Sequence, residues 1–596
     1  MDSREIREKF LNFFKQRNHS IIDSASVITK DQNNQINSTL FVNAGVQPII
    51  PFILGTEIAP NTKLASAQKC IRTVDIEEVG DNTHLTFFEM LGNWSIGDYF
   101  KKEAIKWSFE FLTDSKEGLG LDKNRLYVTV FAGDENSPKD TESFEIWKNF
   151  LPENRIYFKG ADSNWWPAVK NSKTDTWTGP TGPCTEMFYD VTGTLGDLTK
   201  EQFDLADEEQ KIVEIWNDVF MQYEKDNGKI IKKLSKFAVD TGAGLERLSV
   251  ILNNKKNVYE IDSFSEIIKI IKENSSNYLD YSAKIIADHI KASCFLISDG
   301  VIPTNSDRGY VLRKLIRRMI IHSDKISFEK YDLIIDSIIK YYNQIYPNLN
   351  ISNTKEIINQ EISKFRKTLK DGIKKLNKII ETKEQIEPKV IFDLYQNYGF
   401  PMEITAEILK NNNLSFDLQK AKEFFSEHQK LSRSNSDKKF KGGLSGDTEI
   451  EKKYHTATHL LHQALRDVCG LDVSQRGSNI NSERLRFDFS YNQKISDEQK
   501  NKIEEIVNNK IKEALPIKSI TLPKDLAVKT GALHFFDQKY PDEVSIYYIG
   551  NDLQTAYSKE FCGGPHVSNT KELGQFKIIK EEAVSSGTRR IKAILQ

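Results

Sequence analysis

Apolar positions change their period along the chain, and those changes divide it. At the N-terminus Ile6, Phe10, Phe13 and Phe14 recur at helical spacing over Ser3–Gln16. Strand-like runs follow at Thr39–Val42 and Lys63–Ile71, and a second run returns after an acidic turn, Val74–Asn82. Residues 66–100 therefore read as an antiparallel hairpin, with a helix opening near Gly97-Asp98. Over Tyr99–Leu112, Phe100, Ala104, Ile105, Phe109 and Leu112 share one helical face. Further strands are predicted at Arg125–Phe131, Glu186–Asp190 and Ile212–Tyr223, and Phe237–Val239 leads into a helix after Thr241–Gly244. Strands outnumber helices here and no βαβ unit repeats, which predicts a mostly antiparallel sheet with flanking helices.

From about Tyr259 the period turns helical, with amphipathic candidates at Tyr281–Ile297, Val311–His322, Asp332–Gln344 and Lys355–Lys383. Arg313, Lys314, Arg317 and Arg318 make a basic stripe on the second. Residues 433–447, RSNSDKKFKGGLSGD, lose apolar periodicity and read as a linker. The expected class is α+β multidomain: a sheet domain at 1–255, a helical domain at 256–432, a linker at 433–448 and an α+β segment at 449–596.

Composition narrows this picture. A length of 596 residues allows several cores. Lys+Arg (83) and Asp+Glu (85) nearly cancel, so any nucleic-acid surface must be local. The five cysteines, at 70, 184, 294, 469 and 562, form no CxxC pair, which argues for a reducing compartment. The N-terminus has no signal-peptide core and no apolar run approaches 18 residues, so a cytoplasmic protein without a membrane partner is expected.

Two stretches suit a nucleotide. In the hairpin, Arg72 ends the first run while His84 and Phe88 lie on the returning one. A guanidinium can fork onto a phosphate and an aromatic ring can lie on a base. Alone, the stretch fits an ordinary hairpin with a surface ion pair better than a nucleotide site. In VDTGAGLERLSVIL, residues 239–252, Asp240 ends a strand, Gly242 and Gly244 allow close backbone approach, and Arg247 lies one turn into a helix. Together the stretches could clamp ATP from two sides.

These residues resemble a known family. Arg72 with His84 and Phe88 resembles motif 2 of class II aminoacyl-tRNA synthetases, and Gly242–Arg247 resembles motif 3. The strings NAGVQP, THLTFFEMLGNWSIGDYFKKEAI, GPTGPCTEMFYD, EIWNDVFMQY and IADHIKASCFLISDGVIPTNSDRGYVLRKLIRR look like the alanyl-tRNA synthetase family. The resemblance implies that alanine is activated with ATP and Mg²⁺ and joined to tRNA(Ala). Arg72, Asp240 and Arg247 would be the catalytic set. Arg72 would hold the α-phosphate, Phe88 and Arg247 would sandwich adenine, and Asp240 would pair with the substrate ammonium. Trp166, Asn217 and Val219 would close a methyl-sized pocket. In one departure, the longer Gly-Lys-containing loop of many relatives is absent after Arg72.

A third constellation suits metal. His455 and His459 stand at i and i+4, and Cys562 and His566 offer a thiolate and a third imidazole, a set fitted to one tetrahedral Zn²⁺. Without an HExxH glutamate a metalloprotease is a poor reading. The strings HTATHLLHQAL, VSQRGS, LRFDF and FCGGPHV look like the family's editing domain, which removes serine or glycine from mischarged tRNA. Thr458 and Gln475 match its pocket positions, His462 is expected on the helix surface, and Pro565 stands where relatives often have Thr.

The helical region would bind the acceptor stem. Asn305 matches the family residue that reads its G·U wobble pair, with Arg313 and Arg317 on the adjoining stripe. Gln396 stands where relatives often carry the second reader, an aspartate. Relative to longer relatives, an inserted β-barrel and a C-terminal arm are missing, which suggests a reduced, monomeric form. Two rival readings stay open at this point: a deacylase whose first domain has decayed, and a non-catalytic tRNA-binding paralogue.

Overall fold

The computed structural model describes the chain except residues 30–39, 75, 135–136, 169–174, 306, 350, 383–386, 399–404, 406–408, 410–413, 415–419, 421–422, 424–447, 535–542 and 586. The expected linker at 433–447 lies outside the described residues, as does Thr39. The described chain forms two compact units, Met1–Lys367 and Thr368–Gln596. The first unit thus takes in the expected sheet domain together with the first part of the helical one.

The N-terminal helix, Ser3–Lys15, starts where Asp2 and Glu5 form a reciprocal cap. Its buried face sets Phe10 and Phe13 edge-on to Phe111 of the helix Lys101–Thr113, and Phe10 near Trp216. Above these rings lies a mixed sheet: β1 (Ser20–Ile21), β2 (Lys63–Ile71), β3 (Phe87–Ile96), β4 (Leu126–Phe131), β5 (Ile156–Lys159), β6 (Trp165–Trp166), β7 (Gly179–Asp190), β8 (Ile212–Asp226) and β9 (Lys229–Gly244). The order is β1-β2-β3-β9-β8-β7-β4-β5, with β6 beside β7. Pairing is antiparallel except for β1 with β2 and β4 with β5.

The structure extends two expected strands. Phe237–Val239 proves to lie inside the 16-residue β9, which hairpins with β8 through Asn227 and Gly228 at φ 46° and 78°. Two left-handed residues are what a two-residue hairpin turn demands, so Asp226-Asn227-Gly228 carried a usable signal. β7 begins at Gly179 rather than Glu186. Its GPTGP opening is tolerated because the register slips between Thr181 and Cys184, and because a Cβ at Gly182 would stand 1.9 Å from the Phe220 carbonyl oxygen. The run expected at Thr39–Val42 contributes an isolated bridge, Phe41 to Ile28.

Helices Asp262–Glu273, Asp280–Ser298, Asp307–Ile326 and Tyr331–Tyr342 complete the first unit, joined by the start of Ile351–Thr382. Burial runs along nearly all of Asp280–Ser298. Charge is buried here too. Arg7 donates from Nε to Glu89 at 2.9 Å, Tyr346 donates to the same carboxylate at 2.7 Å, and the Glu89 amide donates to Glu246 at 3.2 Å.

In the second unit the helix Glu449–Cys469 packs Leu460, Leu461 and Leu465 onto Phe487, Phe489 and Ile591. Those residues belong to a sheet of β10 (Gln475–Ile480), β11 (Leu485–Ser490), β15 (Phe576–Ser585) and β16 (Thr588–Leu595), ordered β10-β11-β16-β15. A smaller sheet joins β12 (Ile517–Pro523), β13 (Glu543–Ile549) and β14 (Ser558–Phe561). Among the described residues no helix is long and apolar enough to cross a membrane.

Removing one member of a buried ion pair leaves the other charge unsolvated, at a cost of about 3–5 kcal/mol. Arg7→Met is therefore expected to lower the stability of the first unit by about that amount in urea denaturation. A loss under about 1 kcal/mol would show that Glu89 is satisfied without Arg7.

Candidate nucleotide and metal sites

The hairpin of β2 and β3 sets Cys70 opposite Phe88, and Arg72 leaves just beyond β2. The Arg72 guanidinium carbon stands 4.9 Å from the Phe88 ring centre, and Nε donates to the Asn43 carbonyl at 3.2 Å. β9 runs beside β3 and ends at Gly244, where the helix Leu245–Leu252 begins and carries Arg247. Arg247 donates to the Glu214 carbonyl at 3.1 Å, with the Glu214 carboxylate 3.4 Å away. All six residues expected at the nucleotide, Arg72, His84, Phe88, Gly242, Gly244 and Arg247, line one open cleft. His84 lies before β3 rather than in it, its Nδ1 2.6 Å from Asp81 and its Nε2 3.2 Å from Glu78.

A buried row of side chains crosses the same sheet. Register places Trp94, Asp240, Val219 and Cys184 in a row across β3, β9, β8 and β7. Asp240 is buried and accepts a 2.7 Å hydrogen bond from the Trp94 indole. Burial pushes its carboxyl up to about 8, against the Trp94 hydrogen bond and with repulsion from Asp218 adding to it. An ammonium group placed there would restore the carboxylate. Val219 packs with Trp94 and Cys184, and Trp166 lies at the edge of the same apolar cluster. Asn217 pairs with Gly242 and Glu186 in register, and its buried Oδ1 finds no hydrogen-bond partner among the described residues. Sequence reasoning assigned no role to Trp94, Asn43 or Glu214. For Trp94 a signal existed, since period two along β3 sets it on the face of Phe88.

The residues expected at the acceptor stem spread over several partners. Asn305 is exposed ahead of the helix Asp307–Ile326 and accepts from Arg313. Arg313 and Arg317 both reach the buried Glu361, at 3.2 and 3.0 Å. Lys314 and Arg318 turn instead toward residues 76–79, beside the nucleotide cleft. Gln396 falls in the helix Pro388–Tyr398, but its side chain lies outside the described residues.

His455 and His459 share one face of the helix Glu449–Cys469, and Cys562 and His566 follow Ser558–Phe561. The four ligand atoms lie within 4.8 Å of one another. Cys562 Sγ is 3.4 Å from His455 Nε2 and 3.5 Å from His566 Nε2. A tetrahedron with Zn–N and Zn–S bonds of about 2.05 and 2.3 Å has an N–S edge of roughly 3.6 Å, so the residues fit that ion. The other ring nitrogens are already engaged: His455 Nδ1 with the Pro565 carbonyl at 3.0 Å and His566 Nδ1 with the Thr456 hydroxyl at 3.1 Å. Such partners fix the tautomer that offers Nε2 to a metal. The unusual Pro565 thus acts through a backbone carbonyl that any residue supplies. Burial, with repulsion from His459, takes His455 down to about 3, and burial lowers His459 and His566 as well. Burial raises the Cys562 thiol to about 12, a proton that a bound cation would displace.

One expectation fails nearby. His462 is buried, not on the surface, and its Nδ1 meets Glu560 at 3.1 Å. One turn beyond His459, it faces the β-structure that covers this side of the helix. The pocket candidates sit close by in the chain: Thr458 donates to the Tyr454 carbonyl at 2.9 Å, and Gln475 donates to Ser478 at 3.1 Å.

Comparison with known proteins identifies the family. The family model for class II (A) tRNA synthetases matches residues 5–488, and that for the threonyl and alanyl tRNA synthetase second additional domain matches 544–592. The alanine–tRNA ligase of Borrelia hermsii is 44% identical over 99% of both chains. That of Treponema denticola is 42% identical over 99% of this chain and 98% of its own. The Thermotoga maritima enzyme is longer, 36% identical over 100% of this chain and 80% of its own. A solved pyrrolysyl tRNA synthetase of Desulfitobacterium hafniense aligns over 43% of this chain with a TM-score of 0.25, too low to carry an argument. With a cleft joining both nucleotide motifs, a second unit bearing the three histidines and the cysteine, and relatives matched end to end, the chain belongs to the alanyl-tRNA synthetase family.

Proposed function

We propose that the chain joins alanine to tRNA(Ala) through alanyl-adenylate and hydrolyses tRNA mischarged with serine or glycine. The convergence of Arg72, Phe88, Gly242, Gly244 and Arg247 on one cleft, beside the buried Asp240, carries this reading. ATP would lie with its base between Phe88 and Arg247 and its α-phosphate at Arg72. Asp240 would fix the alanine ammonium, leaving the carboxylate to attack that phosphate as the bond to the β-phosphate breaks and pyrophosphate leaves. Mg²⁺ bound with ATP would offset charge on the phosphates. Positioning and charge cancellation of this kind supply most of the catalysis in phosphoryl-type transfer. With apolar walls at Val219 and Trp166, the pocket would reject an added hydroxyl by only about 10²-fold. Serine errors follow, and the second unit answers them.

There, His455, His459, Cys562 and His566 would hold Zn²⁺, which when bound would supply positive charge to the editing site. Thr458 and Gln475 would read the serine hydroxyl. Asn305, exposed at its helix start, is the proposed reader of the acceptor stem, with Arg313 and Arg317 behind it and Gln396 as the second reader. The proposed division is 1–255 for activation, 256–432 for tRNA, 433–448 as linker and 449–596 for editing, in a monomer that works in the cytoplasm.

Arg247→Ala is expected to reduce alanine-dependent pyrophosphate exchange by more than about 100-fold. Wild-type exchange in a folded variant would remove ATP from this cleft. A pH profile tests Asp240. Its raised carboxyl is protonated below about 8, so the KM for alanine is expected to fall as pH rises from 6.5 to 8.5. In Asp240→Asn that slope should vanish, along with most of the affinity.

The metal site is expected to hold close to one zinc per chain, and Cys562→Ala should lower the content measured by elemental analysis. His455→Ala should leave alanine exchange intact while Ser-tRNA(Ala) accumulates. Equal accumulation by the wild-type protein would show that the second unit does not edit.

A further inference from the structure

The acidic turn between β2 and β3 carries no lysine after Arg72, yet cations of the helical region reach it from outside. Arg318 donates to the carbonyl of Ile76, and its second terminal nitrogen lies 3.4 and 3.5 Å from the carbonyls of Glu77 and Val79. One guanidinium thus bridges three carbonyls of the turn, a fork geometry that an ammonium cannot copy. Lys314, one turn earlier on the same helix, pairs with the Glu77 carboxylate at 2.6 Å.

Arg318 is itself fixed from behind. Its Nη1 donates to His289 Nε2 at 3.1 Å, and His289 donates from Nδ1 to Asp288 at 2.8 Å. Both His289 and Asp288 are buried. The other oxygen of Asp288 accepts the Thr86 amide at 2.8 Å, and Thr86 in turn accepts the Arg72 amide at 2.9 Å. The relay therefore begins on the turn and ends on the backbone of Arg72. Tyr259 adds a hydrogen bond to the His84 carbonyl at 3.3 Å, and Lys284 reaches Asn82 at 3.4 Å.

We propose that Arg318, through Asp288 and His289, is a positioning residue for ATP: it holds the turn so that Arg72 and His84 face the cleft. The inference rests on the reading of that cleft as the nucleotide site. It assigns two of the four stripe cations, Lys314 and Arg318, to ATP activation rather than to RNA contact.

Alanine-dependent pyrophosphate exchange, run on the full chain without tRNA, tests it. Arg318→Ala should raise the KM for ATP by about tenfold or more while the KM for alanine stays within about twofold, because only the turn is released. Arg318→Lys should recover part of the loss. Should Arg318→Ala fail to fold, Lys314→Ala keeps the test open, with an expected rise of about threefold in the KM for ATP alone. A wild-type KM for ATP in the folded variants, or equal rises for ATP and alanine, would overturn the inference. If the wild-type protein shows no exchange, the nucleotide reading itself fails.

Discussion

The buried carboxylates Glu89 and Glu246 are the constraint on which the first unit depends. Glu89 follows Phe88, Glu246 precedes Arg247, and the Glu89 amide donates to the Glu246 carboxylate. The two halves of the nucleotide cleft are therefore tied back to back, one residue behind their functional side chains. Buried negative charge demands partners, and these come from distant chain segments: Arg7 from the N-terminal helix, Tyr346 from beyond Tyr331–Tyr342, and Lys291, 3.8 Å from Glu246, from Asp280–Ser298. Meeting that demand pins the helical region onto the sheet and explains why both fall in one compact unit.

The same logic separates selection from correction. The proposed alanine pocket, set against the apolar cluster of Val219, Trp166 and Trp94, would exclude bulk but have little with which to repel one extra hydroxyl. The second unit supplies polar chemistry instead: buried imidazoles held neutral, a thiol, and the hydroxyl and amide of Thr458 and Gln475. Each unit is suited to the discrimination that the other performs poorly.

Cations on one helix prove to have three destinations. Arg313 and Arg317 share Glu361, Arg313 also reaches Asn305, and Lys314 with Arg318 reaches the acidic turn. A basic stripe in a near-neutral chain is thus largely answered by its own protein. Local charge pattern shows that a face is cationic, not what neutralises it.

Period and spacing determined much by themselves. The Phe10, Phe13 and Phe14 face, the β2–β3 hairpin, the helix after Gly244 and the i, i+4 histidines all arise within a few residues, where backbone geometry alone decides which side chains are neighbours. Family-like strings then suggested roles for Arg72 and Asp240, and spacing with donor chemistry pointed to His455, His459, Cys562 and His566 as candidate metal ligands. What only the tertiary structure decided lies between segments far apart in the chain. Trp94 reaches Asp240 because β3 and β9 pair in that register. His462 is buried because β-structure covers its side of the helix, and Arg318 serves the acidic turn because two helices dock there. The reason is physical: periodicity specifies a face, whereas the partner of that face is set by packing between elements whose separation in sequence carries no local trace.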